Sequence, residues 1–271
     1  MAREFASPAH YVQGKGVFND PQKYLSALGN NPLLLCDNIV WKIVGERLKT
    51  TLETQKFTVK RVTFVGEASD EETARVTAIG KEHQNDFIIG LGGGKTLDSA
   101  KNIADKLGIP VAILPTVAST DAPCSALSVM YTPDGQFKNY AFYSKNPDLV
   151  LLDTEVISHA PVRTLIAGIG DAMATNIEAQ DVARGYNKSM LGESPTLASL
   201  AIAQTCADTL FKHGAQAVSA VKGQVVTPAL ESVVEANTLL SGLGFESSGL
   251  AAAHAIYDGF TVLMVDCKFN L

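Results

Sequence analysis

The stretch Asp86-Phe-Ile-Ile-Gly-Leu-Gly-Gly-Gly-Lys-Thr-Leu-Asp-Ser-Ala100 constrains this chain most, because a short apolar run meets consecutive glycines and then a helical pattern. Phe87, Ile88 and Ile89 read as a buried strand, and Leu97, Ala100, Ile103, Ala104 and Leu107 recur at helical spacing. Gly92, Gly93 and Gly94 thus fall at a helix N-terminus, where bare backbone, unpaired N–H groups and the positive dipole end receive an anion. Two readings follow. The turn holds a nucleotide pyrophosphate, with Lys95 as a point charge beside it, or it is simply a tight connection. Neither familiar phosphate loop fits, since one would need glycine at Ile89 and the other at Lys95.

Around this stretch the pattern alternates. Pro32 to Cys36, Phe57 to Val65 and Val111 to Pro115 read as further strands; Val40 to Thr51 and a segment from the capping-box signal Ser69/Glu72 to about His83 read as helices. This order predicts an α/β domain with a parallel dinucleotide-binding sheet, its ligand beyond the carboxyl ends of the strands. A hairpin about Pro133-Asp134-Gly135 and a strand at Leu149 to Leu152 complete it. From Pro161 only helical patterns appear: Arg163 to Arg184, Thr196 to His213, Ala215 to Lys222, Pro228 to Phe245 and Ser248 to Gly259. The expected division is therefore 1–160 for a mixed α/β domain and 161–271 for a helical one.

Composition matters chiefly for partners. A formal net charge of −6 argues against nucleic acid and against an anionic membrane surface. No run has the length of a membrane span, and the first residues lack the apolar core of a signal peptide, so a soluble, cytoplasmic protein is expected. Cys36, Cys124, Cys206 and Cys267 are far apart, which suggests reduced thiols rather than a disulfide framework or a zinc knuckle.

Three places carry candidate chemistry. Asp37 follows the first expected strand, where a carboxylate either accepts a ribose diol and repels a 2′-phosphate or caps the next helix. Pro115-Thr-Val-Ala-Ser-Thr-Asp-Ala-Pro-Cys-Ser125 is polar, lies just past a strand end and should border the ligand; the alternative is a Ser/Thr turn without chemistry. In the helical half, Asp171 and His254 stand among small apolar neighbours. Each is either a satisfied buried group or a metal ligand, with Asp258 one turn beyond the histidine and Glu178 two turns beyond the aspartate.

Four motifs in this order, Gly-Leu-Gly-Gly-Gly-Lys-Thr-Leu-Asp98, Pro-Thr-Val-Ala-Ser-Thr-Asp-Ala-Pro-Cys-Ser125, Gly-Ile-Gly-Asp-Ala172 and Gly-Leu-Ala-Ala-Ala-His254, resemble the bacterial glycerol dehydrogenases of the metal-dependent alcohol dehydrogenase superfamily. The resemblance runs from about Ser7 to Leu263. It implies that 1–160 is an NAD-binding domain and 161–271 a helical metal and substrate domain, with the active site in the cleft between them. Asp37 would hold the adenosine ribose; Gly92, Gly93, Gly94 and Lys95 the pyrophosphate. Thr116 and Ser119 would line the adenosine side, and Ser125, Leu127 and Tyr131 the nicotinamide. Asp121 would contact the polyol, and Asp171 and His254 would bind zinc (Zn2+). The implied reaction is oxidation of glycerol, or a related small polyol, to dihydroxyacetone, and self-association into a homo-oligomer is left open.

Family members continue past the equivalent of Leu263 into a histidine-rich loop that supplies a third zinc ligand. Here the sequence reads Met264-Val-Asp-Cys-Lys-Phe-Asn-Leu271, and no histidine follows His254. The resemblance therefore implies a C-terminally truncated member, its remaining metal donors drawn from Asp266, Cys267 or water. Two alternatives stand beside the dehydrogenase: a catalytically silent NAD-binding fragment, and a lyase of the dehydroquinate synthase type.

Overall fold

The computed structural model describes residues 2–263. They form two compact units, one of Pro8–Val117 and Ala126–Val156, the other of residues 2–7, Ala118–Ser125 and 157–263. The expectation of one cut at residue 160 differs from this at residues 2–7 and 118–125, which group with the helices, and at the last change of unit, which falls after Val156. The 118–125 segment is the one nearest the candidate residues. There the reason is local. The Asn237 amide donates to the Ala118 carbonyl at 2.9 Å, the Asp121 N–H donates to Asp171 at 3.2 Å, and Gly168 has no side chain where a Cβ would lie 2.0 Å from the Ala118 oxygen.

The first unit is built on a parallel sheet. Its strands are β1 (Tyr11–Gly14), β2 (Pro32–Cys36), β3 (Lys60–Thr63), β4 (Phe87–Gly92), β5 (Val111–Pro115) and β8 (Leu149–Asp153), in the order β1-β8-β5-β4-β2-β3. The four central strands are buried along their whole length, as parallel strands covered on both faces must be. Their continuous apolar runs made them readable. β1 has no such run and is half-buried throughout; its strand conformation depends on parallel pairing with distant β8. β3 is shorter than the 57–65 expected, although Phe57 and Val59 still enter the core.

Helices cover this sheet. Asn38–Val40 and Glu46–Thr54 are joined through a π-turn at Trp41–Gly45, and Val40, Val44, Leu48 and Leu52 bury one face. Ser69 caps the Asp70–Glu82 helix by accepting from the Glu72 N–H, but Glu72 does not close the reciprocal half of the expected box. Its carboxylate instead accepts from the Val65 N–H at 3.0 Å and pairs with Arg75 at 2.7 Å. The expected hairpin is present as β6 (Leu127–Tyr131) and β7 (Phe137–Phe142), antiparallel. Its turn is closed by the Gly135 N–H on the Thr132 carbonyl at 2.9 Å, with Gly135 at φ +89°.

In the second unit, helix Val162–Arg184 packs on Leu197–Lys222, which packs in turn on the helical run from Pro228 to Ser248. Leu197–Lys222 is one continuous helix where the sequence suggested a break at Gly214; a Cβ there would meet only Ile169 at 3.8 Å. A second π-turn, Ala236–Leu240, lies between Pro228–Glu235 and Ser241–Ser248. Gly249, at φ +98°, then turns the chain into the Ala252–Leu263 helix. Among the described residues no helix is long and apolar enough to cross a membrane, and Cys36, Cys124 and Cys206 are buried and not joined in disulfides.

Candidate functional site

The glycine-rich turn joins β4 to the Gly94–Leu107 helix. Gly90, within β4, lets that helix rest on the sheet, since a Cβ there would lie 2.5 Å from the Ala100 methyl. Gly93 is the N-cap, and no side chain caps the helix. A Cβ on Gly93 would meet only Val117, at 3.7 Å, so what this position spares is approach from outside rather than internal packing. The Gly92 carbonyl accepts from the Thr116 N–H at 3.0 Å, which fixes buried Thr116 beside the turn. Lys95 is exposed, pairs with Glu67 at 2.7 Å and lies 6.0 Å from the Tyr131 ring centre. Leu127 is buried, and its carbonyl accepts from the Lys101 ammonium.

Asp37 lies at the end of β2 and acts as a helix cap: Oδ1 accepts from the N–H groups of Ile39 and Val40, both at 2.7 Å. Next to it, Arg61 donates to the Asn38 side chain at 2.6 Å and stacks over Trp41 at 4.0 Å. The π-turn in the helix that Asp37 caps is of a kind that recurs at functional positions.

The other candidate residues belong to the helical unit. Asp171 and Glu178 lie two turns apart on one face of Val162–Arg184. His254, on Ala252–Leu263, stands between them: Nε2 is 3.5 Å from Asp171 Oδ1, and Nδ1 is 2.6 Å from Glu178 Oε2. Glu178 Oε1 also accepts the N–H groups of Ala251 at 3.0 Å and of His254 at 3.2 Å. Asp121 closes the group through its N–H on Asp171 and accepts from Ser241 Oγ at 2.8 Å, which itself contacts Thr175 Oγ1 at 2.7 Å. Ser241 follows the second π-turn directly. Ser125 is buried with its hydroxyl toward the Ala122 carbonyl at 3.4 Å, and Ser119 is half-buried.

Electrostatics here is crowded. Burial, and then the charge on Asp171, pushes the Asp121 carboxyl well above the usual carboxylate range against the opposing pull of His254. Burial alone would lower the His254 value, but its bonds to Asp171 and Glu178 and the charge on Asp121 raise it to about 10. For Glu178, burial raises the value, and the His254 ring together with the two backbone N–H groups outweighs it and lowers the net result. Burial and the nearby Asp121 and Asp171 push Cys206 up to about 12, so it stays a neutral thiol.

Two donors each about 2.1 Å from one tetrahedral metal lie about 3.4 Å apart. The Asp171–His254 separation of 3.5 Å fits that requirement, and a carboxylate on the second ring nitrogen is the usual support of a metal-bound imidazole. Among the described residues no set of three His, Cys, Asp or Glu side chains is arranged to hold a metal. Asp266 and Cys267 lie outside the described residues. The sequence flagged Asp171, His254 and Asp121. Ser241 and Thr175 gave no signal, because buried hydroxyls in helices are common, and Glu178 was visible only as an acid two turns along.

The model of the iron-containing alcohol dehydrogenase family matches residues 8–154. A glycerol dehydrogenase of Thermotoga maritima is 50% identical over 257 residues, covering 94% of this chain and 70% of that protein. One from Escherichia coli O6:H1 is 46% identical over 263 residues, covering 97% of this chain and 72% of the relative. The crystal structure of glycerol dehydrogenase from Schizosaccharomyces pombe superposes with a TM-score of 0.92 at 45% identity, over 97% of this chain and 66% of that one. The chain therefore belongs to the iron-containing alcohol dehydrogenase family, within its glycerol dehydrogenase branch.

Proposed function

We propose that this chain carries the NAD-dependent oxidation of glycerol, or a closely related small polyol, to dihydroxyacetone, with zinc as the metal. The observation that carries the proposal is the convergence of Asp171 Oδ1 and His254 Nε2 at 3.5 Å beside buried Asp121. Held by Asp171 and His254, a divalent metal would supply Lewis-acid polarisation of an alcohol oxygen, and a bound nicotinamide would supply the hydride acceptor.

The protein's part is to bind and orient. Asp37 holds the adenosine ribose, Gly92, Gly93 and Gly94 admit the pyrophosphate to the helix N-terminus, and Lys95 turns from Glu67 to the phosphates. Thr116 and Ser119 border the adenosine, and Ser125, Leu127 and Tyr131 the nicotinamide. Asp121, with Oδ2 engaged by Ser241, offers its other oxygen to a polyol hydroxyl.

A second reading is favoured by one observation: only two metal donors converge among the described residues. On that reading the chain binds NAD without turning over. The chain spans between 66% and 72% of the length of the relatives compared, so the activity of a whole relative is a proposal here. Calorimetric titration with NAD beside absorbance of NADH formed from glycerol, with and without added zinc, separates the two. Binding with zinc-dependent NADH formation supports the dehydrogenase, binding alone supports the silent chain, and neither sinks both.

A further inference from the structure

Glu178 is 3% exposed, and its two oxygens do different work. Oε1 accepts from two backbone N–H groups, those of Ala251 and His254, where the chain enters its Ala252–Leu263 helix. Oε2 meets the His254 ring nitrogen Nδ1 at 2.6 Å. One carboxylate on the Val162–Arg184 helix thus fixes both the backbone that presents His254 and the rotation of its ring, and Nε2 consequently faces Asp171.

We propose that Glu178 is the positioning residue of the metal site: by accepting the hydrogen on Nδ1 it holds His254 with Nε2 as the metal-facing atom. This rests on the metal reading above. A ring whose Nδ1–H is held by a carboxylate keeps its Nε2 lone pair for a metal and is more basic there. The nearby acids do not replace Glu178. Asp171 addresses the other ring nitrogen, and Asp121 is engaged with Ser241 and with Asp171.

The geometry gives this role a test that a merely structural residue would fail. In Glu178→Gln the amide oxygen must take the Oε1 place, because an NH2 group there would face two N–H donors. The NH2 then faces Nδ1, which has to become an acceptor. The ring then gives up its Nδ1 hydrogen and keeps the one on Nε2, the atom aimed at Asp171. The helix start is kept while the metal-facing lone pair is lost.

The experiment is calorimetric titration of the 271-residue chain with zinc chloride, comparing the parent, Glu178→Gln and His254→Ala, with melting curves of each and 15N spectra of the histidine rings. We expect zinc affinity about 10- to 100-fold weaker in Glu178→Gln, an unchanged melting midpoint, and a ring that has lost its Nδ1 hydrogen. Zinc affinity equal to the parent would overturn the inference. A parent that binds zinc no better than His254→Ala would sink the metal reading instead. The ring spectra then decide the role of Glu178 alone: loss of the Nδ1 hydrogen supports it, and the same Nδ1 hydrogen in parent and variant refutes it.

Discussion

Each of the two units buries carboxylates, and they do so in opposite ways. In the sheet unit, Asp98 on the Gly94–Leu107 helix is matched by Lys101 at 2.9 Å, both nearly inaccessible. Asp98 also accepts from the Val129 N–H at 3.0 Å, and Lys101 donates to the Leu127 carbonyl, so the pair ties helix to hairpin. Burial raises the Asp98 value, and Lys101 opposes it. In the helical unit, Asp121, Asp171 and Glu178 surround one imidazole. A balanced pair is self-sufficient and belongs to the architecture. Three carboxyl groups around one histidine lack that balance, and burial with the Asp171 charge pushes Asp121 well above the usual carboxylate range; the proposed divalent cation would relieve this crowding. The difference separates a buried charge pair that serves stability from the acidic cluster on which the proposed site rests.

The largest expected effects would break this contrast. Asp171→Ala or His254→Ala should remove zinc binding, measured by calorimetry; Asp171→Ala should change melting little, because Asp171 is only half-buried and no core packing is lost. Conversely, Lys101→Met strands the Asp98 carboxylate and should cost about 3–5 kcal/mol in denaturant unfolding. Adding Asp98→Leu to Lys101→Met should recover much of that loss. A Lys101→Met chain of undiminished stability would show that the pair is not the architectural element described here.

A smaller effect is expected at the glycine-rich turn. Gly93→Ala should leave stability nearly unchanged, since the new methyl meets only Val117 at 3.7 Å. It should nonetheless weaken NAD by about tenfold or more, roughly 1.4 kcal/mol, and Gly94→Val should abolish binding. Undiminished NAD affinity in folded Gly93→Ala would mean the glycines serve the turn alone. Smallest is Asp37→Ala, which loses a helix cap worth about 1 kcal/mol. The same variant should narrow the preference for NAD over NADP, read from the ratio of their dissociation constants.

How far the sequence carried depends on how local each cause is. The central strands announced themselves because parallel strands buried on both faces need unbroken apolar runs, as at Pro32–Cys36 and Phe87–Gly92. β1 could not be read, because Tyr11–Gly14 becomes a strand only by pairing with β8. Gly214 misled for the converse reason: packing between long helices overrides a local weakness of about 1 kcal/mol. At the site, Asp171 and His254 stood out as ionisable residues among small apolar ones. The partners that make them a site did not. Glu178, Ser241 and the backbone of Asp121 are brought together by helix packing and by close approaches at Gly168 and at Gly242, where a Cβ would lie 3.1 Å from the Asp121 carbonyl oxygen.

The central claim is that the helical unit carries a cation site founded on Asp171 and His254. Equilibrium dialysis of the 271-residue chain against zinc, followed by metal analysis of the parent and of Asp171→Ala, tests it most directly. The account predicts about one zinc per parent chain, as expected for a single site of this kind, and none retained by the variant. Equal zinc in both chains, or none in either, would contradict it.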